Sequence, residues 1–412
     1  MKNKLFGLSL FISFLSFSQL EIVTPASVGF SQKRLNRLSE ISQNYIDKYN
    51  IPGMITMISR KGKIVYNEAF GNRGPERNEE LKKDDIFRIY SMSKPIAGVA
   101  IMQLYEKGKF QLSDPITKFL PEMKNLKLMN DLGKIEDLMT EIKMHNLLTH
   151  TAGFSYGFSD NPVDKLYSDL DLFMSKDLNE FGDKVSKLPL RSKPGKQFIY
   201  SVAVDLTGLI IERISGKSLD EYYKENIFTP LGMKDTYFKV PKNKLDRFLK
   251  RYIRNNETGA IEEYPAIKNM AMSDYINSSM HSAGGGLVST ALDYLKFAEC
   301  LRNEGLFNGV QVLSPKTVKF MTSNHLESVS ELPAKTKGFG FGIGVGIVTN
   351  SIENEIIGSD GEYYWQGPSS MFWVDPVEEI VVVSMYNMHR PPFNKRNDIK
   401  IATYQALTES YE

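Results

Sequence analysis

A single cysteine in 412 residues, Cys300, leaves this chain without the means to form an internal disulfide. It falls in the apolar, helix-like run Tyr294 to Leu301, where a core residue is expected rather than a working thiol. An excess of one charge is also lacking. The 51 basic and 49 acidic residues leave a net charge of +2, and no basic block is interleaved with aromatics, so nothing favours nucleic acid as a partner. The five histidines, His145, His150, His281, His325 and His389, are scattered and form no H-E-x-x-H pattern, and no C-x-x-C accompanies them, so no metal site is read. Long apolar runs are absent beyond the first residues. There, Lys2 and Lys4 precede an apolar stretch from Leu5 to Phe17, and Ser16-Phe17-Ser18 offers small residues before Gln19. This reads as a secretory signal over residues 1–18, too short for a confident span, which predicts an exported protein, periplasmic or secreted, with no stable membrane insertion after cleavage.

What is present describes one ordinary folded body. Hydrophobic residues at 42% and charged residues at 24% suit a globular domain, and residues 19–412 are read as a single catalytic domain. Ser31 to Tyr49 has helical periodicity. Met54 to Ser59 and Ile64 to Phe70 read as a strand hairpin around Lys61-Gly62-Lys63. A mostly helical middle follows, broken by turns at Gly153, Pro194-Gly195, Pro230-Leu231-Gly232 and Gly284-Gly285-Gly286. Strand signals return at Phe339 to Val348, Met371 to Val374 and Ile380 to Met385. The expected fold is α/β: one sheet from both termini, about 50–72 and 336–388, with a helical insertion at about 95–330 and a site at their junction.

The chemistry concentrates at Ser91-Met92-Ser93-Lys94, at the opening of an apolar helix, where a hydroxyl and an amine lie one turn apart. A serine is a poor nucleophile until a neighbour takes its proton, and a helix N-terminus favours the negative charge that follows. Two segments compete to complete such a site. Ser159-Asp160-Asn161 lies in a featureless loop. Tyr200-Ser201-Val202 follows the Pro194-Gly195 turn at a helix entrance, and a tyrosine beside a lysine ammonium can reach the phenolate form and accept a serine proton; Tyr200 is therefore favoured. Gly153-Phe154-Ser155-Tyr156-Gly157 matches the G-x-S-x-G elbow in letters, but it lacks the strand before and helix after that an elbow needs. His150 reads as a hydrogen-bonded structural histidine.

Taken together, Phe87 to Pro95, Leu147 to Gly153, Pro194 to Ser201, Gly284 to Thr290, Leu313-Ser314-Pro315 and Phe372 to Pro376 resemble the serine β-lactamase and penicillin-binding-protein superfamily. The resemblance is to its class C-like branch, nearest the family VIII carboxylesterases, and extends over nearly the whole chain after residue 18. It implies a β-lactamase/transpeptidase-like fold and an acyl-enzyme on Ser91, with Lys94 as its proton partner and Tyr200 as general base. It implies no metal or organic cofactor. Two positions depart from the β-lactamase pattern. Val202 stands where those enzymes carry asparagine, and Trp365-Gln366-Gly367 fills the place of their Lys-Thr-Gly; Lys335-Thr336-Lys337-Gly338 comes near those letters but precedes the wrong strand. Losing that lysine removes a cation for a substrate carboxylate, so a small neutral ester, or a related amide or peptide, becomes the expected substrate. A D-amino-acid peptidase or β-lactamase, and a feebly catalytic binding scaffold, are the alternatives. The same element supplies part of the oxyanion hole, yet Pro368 has no N–H, which leaves Gly367 or Ser369 as the expected donor.

Overall fold

The computed structural model describes residues 20–130, 132–264, 275–329, 331 and 337–411, so the signal over 1–18 lies outside the described residues. Two strands at the start, β1 (Gly53–Arg60) and β2 (Lys63–Gly71), form the expected hairpin. Lys61 (φ 54°) and Gly62 (φ 72°) both adopt the left-handed conformation that tight hairpins require. Five strands near the end join them: β3 (Phe339–Phe341), β4 (Gly346–Val348), β5 (Tyr363–Gly367), β6 (Ser370–Asp375) and β7 (Ile380–Tyr386). The sheet is antiparallel, in the order β3-β4-β5-β6-β7-β1-β2. Its two ends of chain meet at β7 and β1, paired from Met54↔Tyr386 to Arg60↔Ile380. Phe339 to Val348 departs from the single strand expected. It is a hairpin, because Gly344 (φ 82°) reverses the chain and the Gly342 N–H donates to Val345 O.

The period-two alternation of β1 explains the layers. Met54 and Ile58 point into a core shared with α1 (Gln32–Tyr49), while Ile55 and Met57 point into a larger core on the other face. That larger core contains α2 (Ser93–Glu106), α3 (Ala203–Ser215) and α4 (Ala291–Arg302). Helix α2 is buried continuously from Ser93 to Leu104, so it is a central helix rather than an amphipathic surface one. Cys300 is buried in this core, where burial pushes its thiol up to about 12. A last helix, α5 (Lys395–Tyr404), lies beside α1. Among the described residues, no helix is long and apolar enough to cross a membrane.

Candidate active site

Ser91 sits in a short 3-10 turn, Tyr90–Met92, that runs straight into α2. Tyr90 holds φ 47°, uncommon for a bulky residue, and its hydroxyl accepts from Arg251 Nη1 at 2.8 Å. Local strain of this kind persists only where surroundings impose it. Ser93 helps impose it: its hydroxyl donates to Tyr90 O at 2.7 Å and accepts from the Leu287 N–H at 3.2 Å.

Tyr200 arrives from the other side, with its hydroxyl 2.6 Å from Ser91 Oγ. The segment carrying it is laced to the preceding loop: Ile199 N–H donates to His150 O, and Val202 N–H to Ser155 O. His150 is fully buried and its ring lies 5.0 Å from that of Tyr200. Its Nδ1 accepts the Ser201 N–H at 3.2 Å, and burial, with Lys94 nearby, holds the imidazole well below its usual range. A neutral histidine pinned in this way orients the Tyr200 turn.

Lys94 is buried, and its ammonium donates to Gly284 O at 2.7 Å instead of bonding Ser91. It lies 4.5 Å from the centre of the Tyr200 ring and 5.2 Å from that of Tyr156. Behind it is Asp205, which sequence reasoning missed. This carboxylate is wholly buried, accepting from Ser282 Oγ at 2.6 Å and from the Gly284 N–H at 3.0 Å. Burial raises its pKa, while Lys94 pulls the other way. Gly284 thus links the two charges: its carbonyl holds the cation and its N–H the anion. A Cβ there would come within 2.7 Å of Asp205 Oδ2 and 2.8 Å of the Tyr156 hydroxyl, so the position needs glycine. The signal available in the sequence was an acid in the first turn of a mostly apolar run, Val204 to Ile211.

The competing serines are engaged elsewhere. Ser155 and Ser159 both donate to the buried Asp164 carboxylate, and Asn161 caps the helix Pro162–Asp169 by accepting the Val163 N–H. The elbow-like letters have a backbone cause. Gly153 (φ 89°) packs so closely on Ser192 that a Cβ would meet its carbonyl oxygen at 2.0 Å.

A cleft of about 930 Å³ opens over Ser91 and Tyr200, and Trp365, Gln366 and Gly367 line it. Trp365 lies tilted against Tyr200, with ring centroids 5.7 Å apart. Gly367 pairs with Ser370 across the two-residue turn Pro368-Ser369. That closing pair exchanges both backbone hydrogen bonds, so the Gly367 N–H is spent within the hairpin and the Gln366 N–H turns away from β6. Of the residues of β5, strand β4 pairs with Tyr363 and Tyr364 alone, so the edge at Gln366 is open. Val202 is fully buried in the main core and does not line the cleft.

Comparison with known proteins agrees with this architecture. The beta-lactamase family model matches residues 38–406. Esterase EstB of Burkholderia gladioli is 28% identical over 282 residues, 65% of this chain and 69% of the esterase. A putative D-alanyl-D-alanine carboxypeptidase of Escherichia coli K12 is 24% identical over 410 residues, 94% of this chain and 90% of that protein. The structure of EstCE1, described as a hydrolase with promiscuous acyltransferase activity, superposes with a TM-score of 0.75 at 24% identity, covering 92% of this chain and 99% of that one. The fold, the serine–lysine helix at its centre and a family match over most of its length make this chain a member of the beta-lactamase family, within the serine β-lactamase and penicillin-binding-protein superfamily.

Proposed function

We propose that this protein is an exported serine hydrolase that cleaves esters through an acyl-enzyme on Ser91. The observation that carries the reading is the 2.6 Å contact between Tyr200 OH and Ser91 Oγ at the floor of an open cleft. With Tyr200 as phenolate, the Ser91 hydroxyl passes its proton to that oxygen as Oγ attacks the carbonyl carbon. The Lys94 ammonium lies 4.5 Å from the centre of the phenol ring, and Asp205 supports it through Gly284, whose carbonyl accepts from the ammonium and whose N–H donates to the carboxylate. As the tetrahedral centre collapses, the carbon–oxygen bond to the alcohol breaks and Tyr200 returns the proton to the leaving oxygen. Water then repeats the sequence on the acyl-enzyme and frees the acid. The Ser91 N–H at the head of α2 and the open-edge Gln366 N–H are the donors assigned to the oxyanion, since Pro368 has none. Export rests on Lys2, Lys4 and the apolar stretch to Phe17.

Kinship to EstB favours esters, and aromatic side chains dominate part of the lining. The match to a putative D-alanyl-D-alanine carboxypeptidase supports a peptidase as the second reading. The test is covalent labelling with a fluorophosphonate together with turnover of p-nitrophenyl butyrate. Ser91→Ala should lose both, while Ser155→Ala and Ser159→Ala keep labelling. Labelling that survives in Ser91→Ala sinks the reading, and turnover of D-alanyl-D-alanine peptides above that of esters hands it to the peptidase.

A further inference from the structure

The cleft over Ser91 has two chemically distinct stretches of lining. One is aromatic and continuous: Tyr156 stacks on Phe158 and Phe173, with ring centroids 4.8 and 6.1 Å apart, and tilts against Tyr200 at 5.1 Å. The other is cationic. Arg251, Arg390, Lys395 and Arg396 all line it, and among the described residues no aspartate or glutamate does. Arg396 is neutralised by Glu362 at 3.5 Å, and Arg251 is held by the Tyr90 hydroxyl and the Tyr264 ring. Lys395 and Arg390 have no carboxylate partner among the described residues.

Lys395 is the more informative of the two. It is half-buried at the start of α5, and its ammonium donates to Gly367 O at 2.8 Å and Pro368 O at 3.1 Å. The Arg390 N–H also donates to Pro368 O, at 3.0 Å. The Lys395 ammonium and the Arg390 backbone are therefore both tied to the turn that follows Trp365-Gln366-Gly367, and the exposed Arg390 side chain lines the cleft beside it. Gly367 in turn abuts the nucleophile's own segment: a Cβ there would lie 2.9 Å from Ile89 O and 3.1 Å from Tyr90 Cβ. Taking a cation out of water with only neutral oxygens for company is costly, and a carboxylate entering the cleft would relieve that cost. Two charge-assisted bonds to one anion are also the strong kind.

We propose that Lys395 and Arg390 form an anion subsite, and that the substrate is an ester carrying a carboxylate on one side of the scissile carbonyl and an apolar group on the other. The proposal rests on the serine-hydrolase reading above and names its substrate class. It reassigns the missing cation. The lysine absent from the strand is replaced by an arginine from the segment between β7 and α5 and by the lysine that opens α5. Burial lowers Lys395 to about 7, and the charged groups around it, Arg390, Arg396 with its partner Glu362, and the neutral His389, leave it without a counter-charge until substrate arrives. The preference for an anion should accordingly fall as pH rises through 7.

The test uses the full chain and three esters: neutral p-nitrophenyl butyrate, mono-p-nitrophenyl glutarate with the carboxylate on the acyl chain, and 3-carboxy-4-nitrophenyl butyrate with it on the leaving group. Wild type should show a higher kcat/KM for one of the two carboxylates than for the neutral ester, and which one identifies the arm. Lys395→Met and Arg390→Gln should each lower that ratio, by about tenfold for Lys395→Met, and Lys395→Arg should retain it. Calorimetric binding of 3-phenylpropionate to Ser91→Ala protein reads the subsite without turnover and should weaken by a similar factor when Lys395→Met is added. A ratio at or below one in wild type, or one unmoved in both variants, overturns the subsite while leaving the hydrolase intact. Absent ester turnover with intact, Lys395-dependent binding overturns the hydrolase and leaves the subsite.

Discussion

Ser91 and Tyr200 are 109 positions apart, yet their oxygens lie 2.6 Å from each other, so at the residue scale the site consists of few atoms held by many. Removing only the phenolic oxygen separates chemistry from packing. Tyr200→Phe should leave the fold intact and lower kcat by roughly two to four orders of magnitude, the usual worth of general acid–base catalysis. Wild-type turnover in that variant would show that another group takes the proton. Asp205 acts one step back, through Lys94 and Gly284. As a positioning residue, Asp205→Asn should cost less in kcat than Tyr200→Phe and move the pH profile, whereas Tyr200→Phe should depress activity across it. An Asp205→Asn profile superposable on that of wild type would reduce Asp205 to a packing role.

At the scale of elements, the start of α3 does two jobs: it ends the Tyr200 turn and it seals the core. Val202 is at the first of these positions and fully buried, where β-lactamases carry an asparagine that meets substrate. Restoring the letter should not restore the function. Val202→Asn would bury an amide among apolar side chains, a cost of about 1–3 kcal/mol, so it should lower the thermal midpoint and bring no gain in nitrocefin hydrolysis. A stable variant with new nitrocefin turnover would show that the turn can swing the side chain into the cleft. The hairpin β5–β6 makes the same point. Its two-residue turn commits the Gly367 N–H to Ser370, which neither Gly367 nor Ser369 as a donor anticipated.

Across the whole molecule, the last helix ties function to stability. Lys395 opens α5 and reaches the cleft, while Lys400, further along it, pairs with the buried Glu362 of the strand region. Because burial lowers Lys395 from 10.5 to about 7, the unfolded chain binds a proton between those values that the folded protein does not. Stability from this group therefore rises with pH over that window, and the penalty is fully present below 7. Its partial exposure keeps the effect modest. Urea midpoints measured at pH 7 and pH 9.5 should show a smaller gain in Lys395→Met than in wild type. Equal gains would mean that Lys395 titrates as an ordinary surface lysine.

The linear order of residues by itself determined the serine–lysine turn, the tyrosine at a helix entrance, the rejection of the elbow, and one sheet drawn from both ends. These are local signals: apolar periods, turn residues, and groups three positions apart on one helix. Cys300 and His150 were legible as core residues for the same reason. The tertiary structure alone decided what long-range contact decides. Asp205 became part of the site only when Gly284, 79 positions away, was brought against it, and Lys395 became a cation of the cleft only when α5 folded back on the turn at Pro368. Phe339 to Val348 reads as one strand in the sequence because glycine permits a reversal without announcing it. The lysine missing from one strand looks like a missing charge when only the sequence is in view. In three dimensions charge is not confined to the strand that lacks it, since a cation acts over ångströms of space and not over positions of chain.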